Sequence, residues 1–413
     1  MTKQNKSKTW AKTRKFFNDI HLWAGLISGI VLLVVCLTGT LYVYNTEIRE
    51  WNAAHLYKVS NSEGKPRLSS DELLDSSRKL IDGNITTIKI SADENRSFQV
   101  TAKQEGDKSR FGTTYFLNPY TGDLLGNSKE ENSAATFMGY VFSLHRWLLL
   151  DKIEEPIFEG LQNRKFGSYI TGACTILFTI GVLTGLIIWV PRKARYWRQG
   201  LKIEFSSNWK RINHDLHNSL AFYSAIILFL MGVTGPYFSF TWYREGLKKS
   251  LGTYEERSVK GPNPTAGEGK NATDKDLAKI EMLPLEDYLH SVDQTLDYIG
   301  DYTVSLPKDG DAKININKKR AGFFASAASD KLVLDVATAK VLEADVFREK
   351  PFNERVSGSI KALHLGDVYG SFSKLLYFIS CLIATSLPVT GTLIWINKMK
   401  KPKKKNKKKT QLI

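Results

Sequence analysis

Four uncharged apolar runs limit what this chain can fold into. They cover residues 22–44, 169–190, 219–240 and 375–396, each 22 or 23 residues long and free of Asp, Glu, Lys and Arg. A helix needs roughly 20 such residues to cross about 30 Å of hydrocarbon. Four runs of one spanning length predict four membrane helices, with the lipid bilayer as an obligate partner. The slightly negative mean hydropathy averages these runs with long polar segments between them. The formal net charge of +16 is unevenly placed. Residues 1–20 hold six Lys/Arg against Asp19, residues 191–215 seven against Glu204 and Asp215, and residues 397–413 nine Lys and no acid. Together these segments carry +19, leaving the remainder of the chain at −3. All three fall on one side of a four-span topology, and by the positive-inside rule that side is the cytoplasm. The basic pI therefore reports topology, and no nucleic-acid partner is expected. The basic N-region followed by a run too long for an h-region, with no A-x-A-like site after it, reads as an uncleaved anchor.

The boundaries follow from the runs. Residues 1–45 form the cytoplasmic N-terminus and first span, 46–135 a first outer domain, and 136–168 an outer interfacial helix and linker. Residues 169–190 are the second span, 191–218 a basic cytoplasmic loop, and 219–240 the third span. A second outer domain follows at 241–355, then a histidine-bearing segment with the fourth span at 356–396, and a lysine-rich cytoplasmic tail at 397–413. The halves read as tandem repeats. IHLWAGLISGIVLLVVCLTG (20–39) aligns without gaps to LHNSLAFYSAIILFLMGVTG (216–235), and GVLTGLIIW (181–189) to LPVTGTLIW (387–395). Each outer domain is expected to be α+β. The first has a helix at 69–81, strands at 85–90, 97–102 and 113–117, and a closing turn at 117–126. The second has a helix at 285–298, strands at 302–306, 312–317, 322–327 and 331–334, and a comparable close at 334–342. Residues 259–275, rich in Gly, Pro, Asn and Lys, read as an insertion, and the sequon at Asn271 as incidental. Cys36, Cys174 and Cys381 all lie in the spans, and no C-x-x-C-H haem-attachment motif exists.

Seven histidines are present, and the topology sorts them. His21 and His217, superposed by the repeat, open spans one and three at the cytoplasmic mouth. His145 and His364 precede spans two and four on the outer side. A full span separates the pairs, so they cannot share one ion, but each suits axial ligation of a b-type haem iron. Two non-covalent haem b groups are expected, one near each face. Gly25 and Gly29 follow His21 at i+4 and i+8, and Ala221 and Ala225 follow His217 at the same steps, leaving room for a flat macrocycle on the ligand face. Small-residue helix packing explains the same pattern without haem. His214, three residues before His217, is the alternative ligand; the repeat alignment favours His217. Arg146 is placed to pair with a haem propionate. His55 and His290 lack repeat partners and read as surface or domain-packing residues. Trp51, Trp147, Trp242 and Tyr243 lie near the outer face, where an interfacial aromatic belt is the first explanation. The spans hold no ionisable group of the kind proton and ion transporters use, and no nicotinamide or flavin fingerprint is present.

The H-x-W-x-G opening at His21, the LHR segment at His145, Asp215-Leu216-His217, the LHxG segment at His364, the spans ending in Thr-Gly and the Asn118–Gly122 and Asp335–Ala339 closures resemble the PepSY-associated transmembrane family over essentially the whole chain. That resemblance implies a bacterial inner-membrane protein with both termini cytoplasmic, two PepSY-like periplasmic domains and a link to iron. Family members include haem-containing ferric-siderophore reductases. The implied activity passes electrons from a cytoplasmic reductase or a quinol to a ferric siderophore or other ferric chelate, because Fe(II) is held far more weakly by oxygen donors than Fe(III). Two rivals remain at this level. One is a haem-free PepSY-domain binding or regulatory protein, the other a quinol-linked cytochrome serving a different periplasmic oxidoreductase. The charge argument makes its own prediction: in a cysteine-free background, Ser128→Cys should be labelled by impermeant reagent from the outer face. Labelling only from the cytoplasm would reverse the topology.

Overall fold

The computed structural model describes residues 3–61, 64–104, 106, 112–191, 194–256, 282–308 and 310–400. The insertion at 259–275, with its sequon, and the tail beyond residue 400 lie outside the described residues. Four helices are long and apolar enough to cross a membrane: Trp10–Tyr42, Asn163–Trp189, Trp209–Ser239 and Gly370–Met399. All four begin before the apolar runs, because the basic and polar residues at their starts keep helical backbone without needing hydrocarbon. Ile27, Ile30 and Ile226 are exposed on the bundle surface, as lipid-facing residues are. Between helices the contacts are small: Ser28, Ser224, Ala225 and Ala384 are buried, which lets backbones approach closely. The third span is not uniform. Leu216–Leu220 forms one π-helical turn that carries His217; such turns widen a helix locally and often mark functional positions.

The segments between spans build one antiparallel sheet, where the sequence had suggested two separate α+β units. Its strands are β1 Asn84–Ile90, β2 Phe98–Lys103, β3 Thr113–Leu117, β4 Leu124–Asn127, β5 Gly300–Ser305, β6 Lys313–Arg320, β7 Ser329–Asp335 and β8 Val341–Asp345. The order is β4-β3-β2-β1-β5-β6-β7-β8, so the halves meet at β1–β5 with Ile88 opposite Val304. Alternation in β2 and β6 turns Phe98, Val100, Ile314 and Ile316 to one face. Helices Ser70–Leu80 and Leu285–Thr295 cover that face with Leu73, Leu74, Tyr288 and Val292, giving both halves a single core. The closing turns are present at 118–123 and 336–340, and each leads into a further strand, β4 or β8, that begins at the end of the expected stretch. Residues 322–327, expected as a strand, are a loop instead. Gly322 takes a positive φ of 130°, and Phe323 and Phe324 pack on Phe372 at the start of span four, which draws the segment out of the sheet.

The two covering helices cap each other. Ser69 and Glu72 close a capping box on the first helix, and its hydrogen bonds hold the Glu72 carboxyl below the usual range. The second helix has no side-chain cap of its own. Asp71 supplies one from the other half, accepting from the backbone N–H of Leu285 at 2.6 Å and of Glu286 at 3.2 Å. Glu286 returns the contact by accepting from Ser70 N–H at 2.8 Å. Further ties join the sheet to the spans: Arg96 pairs with Glu50 at 2.9 Å, and Ser326 bridges Tyr369. The sheet thus sits at the bundle end where spans one and three finish. Losing a cap typically costs about 1–2 kcal/mol. Asp71→Ala should therefore speed hydrogen exchange in β5 and β6 as well as β1, more than Glu286→Ala does. Exchange confined to one half of the sheet would refute a shared cap.

Candidate functional site: two facing histidine pairs

Each of the four histidines is fixed at Nδ1 by the Thr-Gly pair of a neighbouring span. The bonds run from His21 to Thr184 Oγ1 at 3.2 Å and from His217 to Thr390 Oγ1 at 2.9 Å. On the sheet side they run from His145 to Thr38 Oγ1 at 3.3 Å and from His364 to Thr234 Oγ1 at 3.0 Å. Each of these threonines donates its own hydroxyl proton to a carbonyl four residues back, Val34, Ile180, Leu230 or Ser386, at 2.7–2.9 Å. The hydroxyl oxygen is then an acceptor, and Nδ1 must carry the proton. Two carbonyls, which can only accept, make the same assignment: Gly181 O lies 3.0 Å from His21 Nδ1 and Val35 O 2.9 Å from His145 Nδ1. Among the described residues, Nε2 of none of the four makes a hydrogen bond. The lone pair at Nε2 is left free, and an Nδ1–H···O bond raises the basicity of such a ligand.

The glycine after three of the four threonines admits the ring. A Cβ at Gly185 would lie 3.1 Å from His21 Cε1, one at Gly39 3.1 Å from His145 Cε1, and one at Gly391 3.2 Å from His217 Cε1. At Gly235 it would lie 3.5 Å from His364 Cε1 and 2.7 Å from Thr175 Cγ2. So anchored, the rings face each other in pairs. His21 and His217 have ring centres 6.2 Å apart with planes at 82°; His145 and His364 are 6.3 Å apart at 56°. Two metal–imidazole bonds of about 2 Å, with the half-widths of the rings, place the ring centres of an axial pair roughly 6 Å apart. Among the described residues no three His, Cys, Asp or Glu side chains come together, so each pair offers a metal two ligands. That donor set fits an ion whose other positions are already filled, as in haem.

The inner pair borders a cavity of about 300 Å³. Gly25, Ala221 and Ala225 line it, while Gly29 does not and instead approaches Pro388. Apolar side chains run inward to Leu32 and Leu228, and Asn18, His214, Asn218 and Lys398 gather toward its mouth. An apolar slot with a polar, partly cationic rim suits a flat macrocycle bearing carboxylates at one edge. His214 is turned to that rim beside Asp215 at 3.5 Å, while His217 faces His21.

The outer histidines come from short helices, not from the spans. His145 lies in the last turn of Ser133–Trp147, which Asn132 caps at its start. That helix stops at two consecutive left-handed residues, Leu148 (φ 54°) and Leu149 (φ 61°), a strained arrangement for branched side chains. His364 lies in the last turn of Ile360–Leu365, which ends at left-handed Gly366. A Cβ at Gly366 would meet Tyr377 at 2.5 Å, so only glycine fits. Arg146 bonds Phe238 O at 3.1 Å, and Phe238 lies 5.3 Å from the His364 ring. Burial, with the like charges of Arg164 and Arg244, holds the Arg146 guanidinium below its ordinary range. Trp147 is buried, whereas Trp51 and Trp242 are exposed. Tyr243 donates to Val233 O at 2.8 Å. His55 meets Glu130 and His290 meets Gln294, both remote from the pairs. The threonine anchors were legible only as landmarks of the repeat; their role needed the contact across helices.

The chain matches the family described as PepSY-associated TM region over residues 19–398. It is a multi-pass membrane protein of that family. No curated protein matches it.

The proton assignment is testable before any ligand is added. In protein labelled with ¹⁵N at histidine, the four site rings should appear as Nδ1–H tautomers. Thr390→Val, which removes a hydrogen bond worth about 1 kcal/mol, should broaden the signal of His217. A protonated Nε2 in the unmodified chain would contradict the assignment.

Proposed function

We propose that the chain is an inner-membrane electron carrier holding two non-covalent b-type haems, one on His21 and His217 near the cytoplasm, the other on His145 and His364 near the periplasm. Its activity in this reading is outward reduction of ferric chelates such as ferric siderophores. The observation that carries it is the pair of facing imidazole couples, each with Nδ1 committed as a donor and Nε2 free. A histidine held only for structure has no need of a twin at 6.2 or 6.3 Å with a free nitrogen. Membership in the family supports the membrane setting and leaves the redox activity to experiment.

Haem b, when bound, supplies a one-electron couple at each end of the bundle. The protein's own contribution is distinct. Thr184, Thr390, Thr38 and Thr234 hold the imidazoles neutral and oriented. Gly185, Gly391 and Gly39 let three of the rings lie against the neighbouring helix, and Gly235 lets span three approach Thr175. Arg146 places positive charge beside the outer pair, where a propionate needs a partner. The anchors are far apart: His21 and Thr38 are 17 residues apart on one helix, about 25 Å at 1.5 Å per residue. The uncharged spans between keep water and protons out of that distance. The electron donor is a separate cytoplasmic reductase or a membrane quinol.

A pyridine haemochrome assay on the loaded chain should find two haems, with low-spin bis-histidyl spectra. His217→Ala should remove the inner one and His214→Ala should leave it; the reverse would make His214 the ligand. His364→Ala should keep about half the haem absorbance and abolish Fe(II) production at the outer face of right-side-out vesicles given an internal reductant. Undiminished Fe(II) from a well-expressed His364→Ala protein would rule out the outward route.

A further inference from the structure

Beside the outer histidine pair, three arginines converge. They alternate with aromatic rings. Arg164, in the first turn of span two, lies 4.1 Å over Trp147. Arg146 lies 5.8 Å from Trp147 and 5.7 Å from Phe238. Arg244 donates Nε–H to Tyr237 O at 3.2 Å and lies 5.3 Å from the Tyr237 ring. Arg146 Nε is buried with no partner. Among the described residues none of the three joins an ion pair. Arg146 and Arg244 are half-buried and Arg164 is exposed; the aromatic faces offset part of the cost of this charge, and a half-buried guanidinium with an unused N–H gains from an anion placed beside it. Guanidinium forks match the two oxygens of a carboxylate.

We propose that Arg146, Arg164 and Arg244 form a carboxylate-binding site at the sheet-side end of the bundle, directly beside the outer histidines. Two sources present that chemistry: the propionate edge of a haem held by His145 and His364, and the carboxylate donors of an anionic ferric chelate arriving from outside. The identity of the carboxylate rests on the proposed function; the site itself does not. If the chelate is the source, the site selects anionic, carboxylate-bearing acceptors over cationic ones and holds them one aromatic ring from His364, through Phe238.

The test uses the purified full-length chain, loaded with haem, as wild type and as the double variant Arg164→Gln/Arg244→Gln. Both substitutions spare Arg146, whose loss threatens the fold near His145; Arg164→Lys/Arg244→Lys serves as the conservative control. Citrate binding is measured by calorimetry and the haem midpoint potentials by redox titration. Citrate affinity that falls about tenfold in the Gln variant, and recovers in part with Lys, supports the site with the chelate as its source. No citrate binding, with an outer-haem potential lowered in the Gln variant, supports it with the propionate as its source. Citrate affinity and potential both unchanged overturn it. A wild-type chain that takes up no haem refutes the proposed function, and citrate binding to the haem-free chain then decides alone: arginine-dependent binding upholds the site, and its absence removes it.

Discussion

The hydrogen bond from a histidine Nδ1–H to the threonine of a Thr-Gly pair governs the arrangement of this molecule. In water such a bond is worth little, because either partner would find a solvent molecule. The four rings are half-buried in the bundle, where an unmade bond leaves a shielded donor at a cost of about 1–3 kcal/mol. Four of these bonds tie the chain into a unit: span one to span two through His21 and Thr184, span three to span four through His217 and Thr390, and the two short sheet-side helices to spans one and three through Thr38 and Thr234. Each bond orients a ring, settles which nitrogen carries the proton and joins two helices. For three of the four, the glycine beside the threonine is a steric condition for the bond, since a methyl at Gly39, Gly185 or Gly391 would press on Cε1; at Gly235 a methyl would instead press on Thr175.

The sheet has a related task at one end. Its halves share a core and exchange helix caps through Asp71 and Glu286. The ends of spans one and three are therefore not free to drift apart. Arg96 with Glu50, and Ser326 with Tyr369, carry that restraint down to the bundle. An outer pair whose members come from different halves of the chain needs such a brace to keep its ring centres 6.3 Å apart. The inner pair has no sheet above it. It relies on span-to-span packing and on the π turn at Leu216–Leu220, whose local widening sets the position of His217 relative to the cavity.

Much of this was legible in the amino-acid sequence, and what was not has a physical reason. The spans were visible because hydrocarbon tolerates no charge, and helix Ser70–Leu80 and strand Thr113–Leu117 because capping and alternation are local signals. The facing of His21 with His217, rather than of His214, could be read from the ungapped repeat. The joining of the outer domains into one sheet was not visible, because edge pairing between Ile88 and Val304 depends on backbone geometry more than 200 residues apart. Residues 322–327 alternate like a strand, yet Phe323 and Phe324 find a better partner in Phe372. The threonines carried no composition signal, since Thr is common in membrane helices. Only a cross-helix contact separates an anchor from a residue bonding its own backbone. Of the four small residues placed on the ligand face, Gly29 turned toward Pro388, a consequence of helix rotation that i+4 counting does not capture.

The asymmetry between the two ends follows from topology. Spans one and three run in the same direction, so histidines near their starts fall at one end of the bundle and can face each other. Repeating that arrangement at the other end would put histidines at the starts of spans two and four. Those starts hold Asn163, Arg164 and Lys374 instead, with Lys374 paired to Glu47 at 2.6 Å and Asn163 bonded to the carbonyls of Ile153 and Glu155. The outer histidines are carried by short helices that reach back against spans one and three. A short helix can stop abruptly, and both do, at Leu148–Leu149 and at Gly366. The left-handed stop after Trp147 turns the chain immediately into the segment leading to span two, which keeps Arg164 against Trp147 and beside Arg146. The same constraint that moves the outer histidines off the spans thereby concentrates positive charge next to them, in no ion pair among the described residues, on the side of the molecule where the sheet stands.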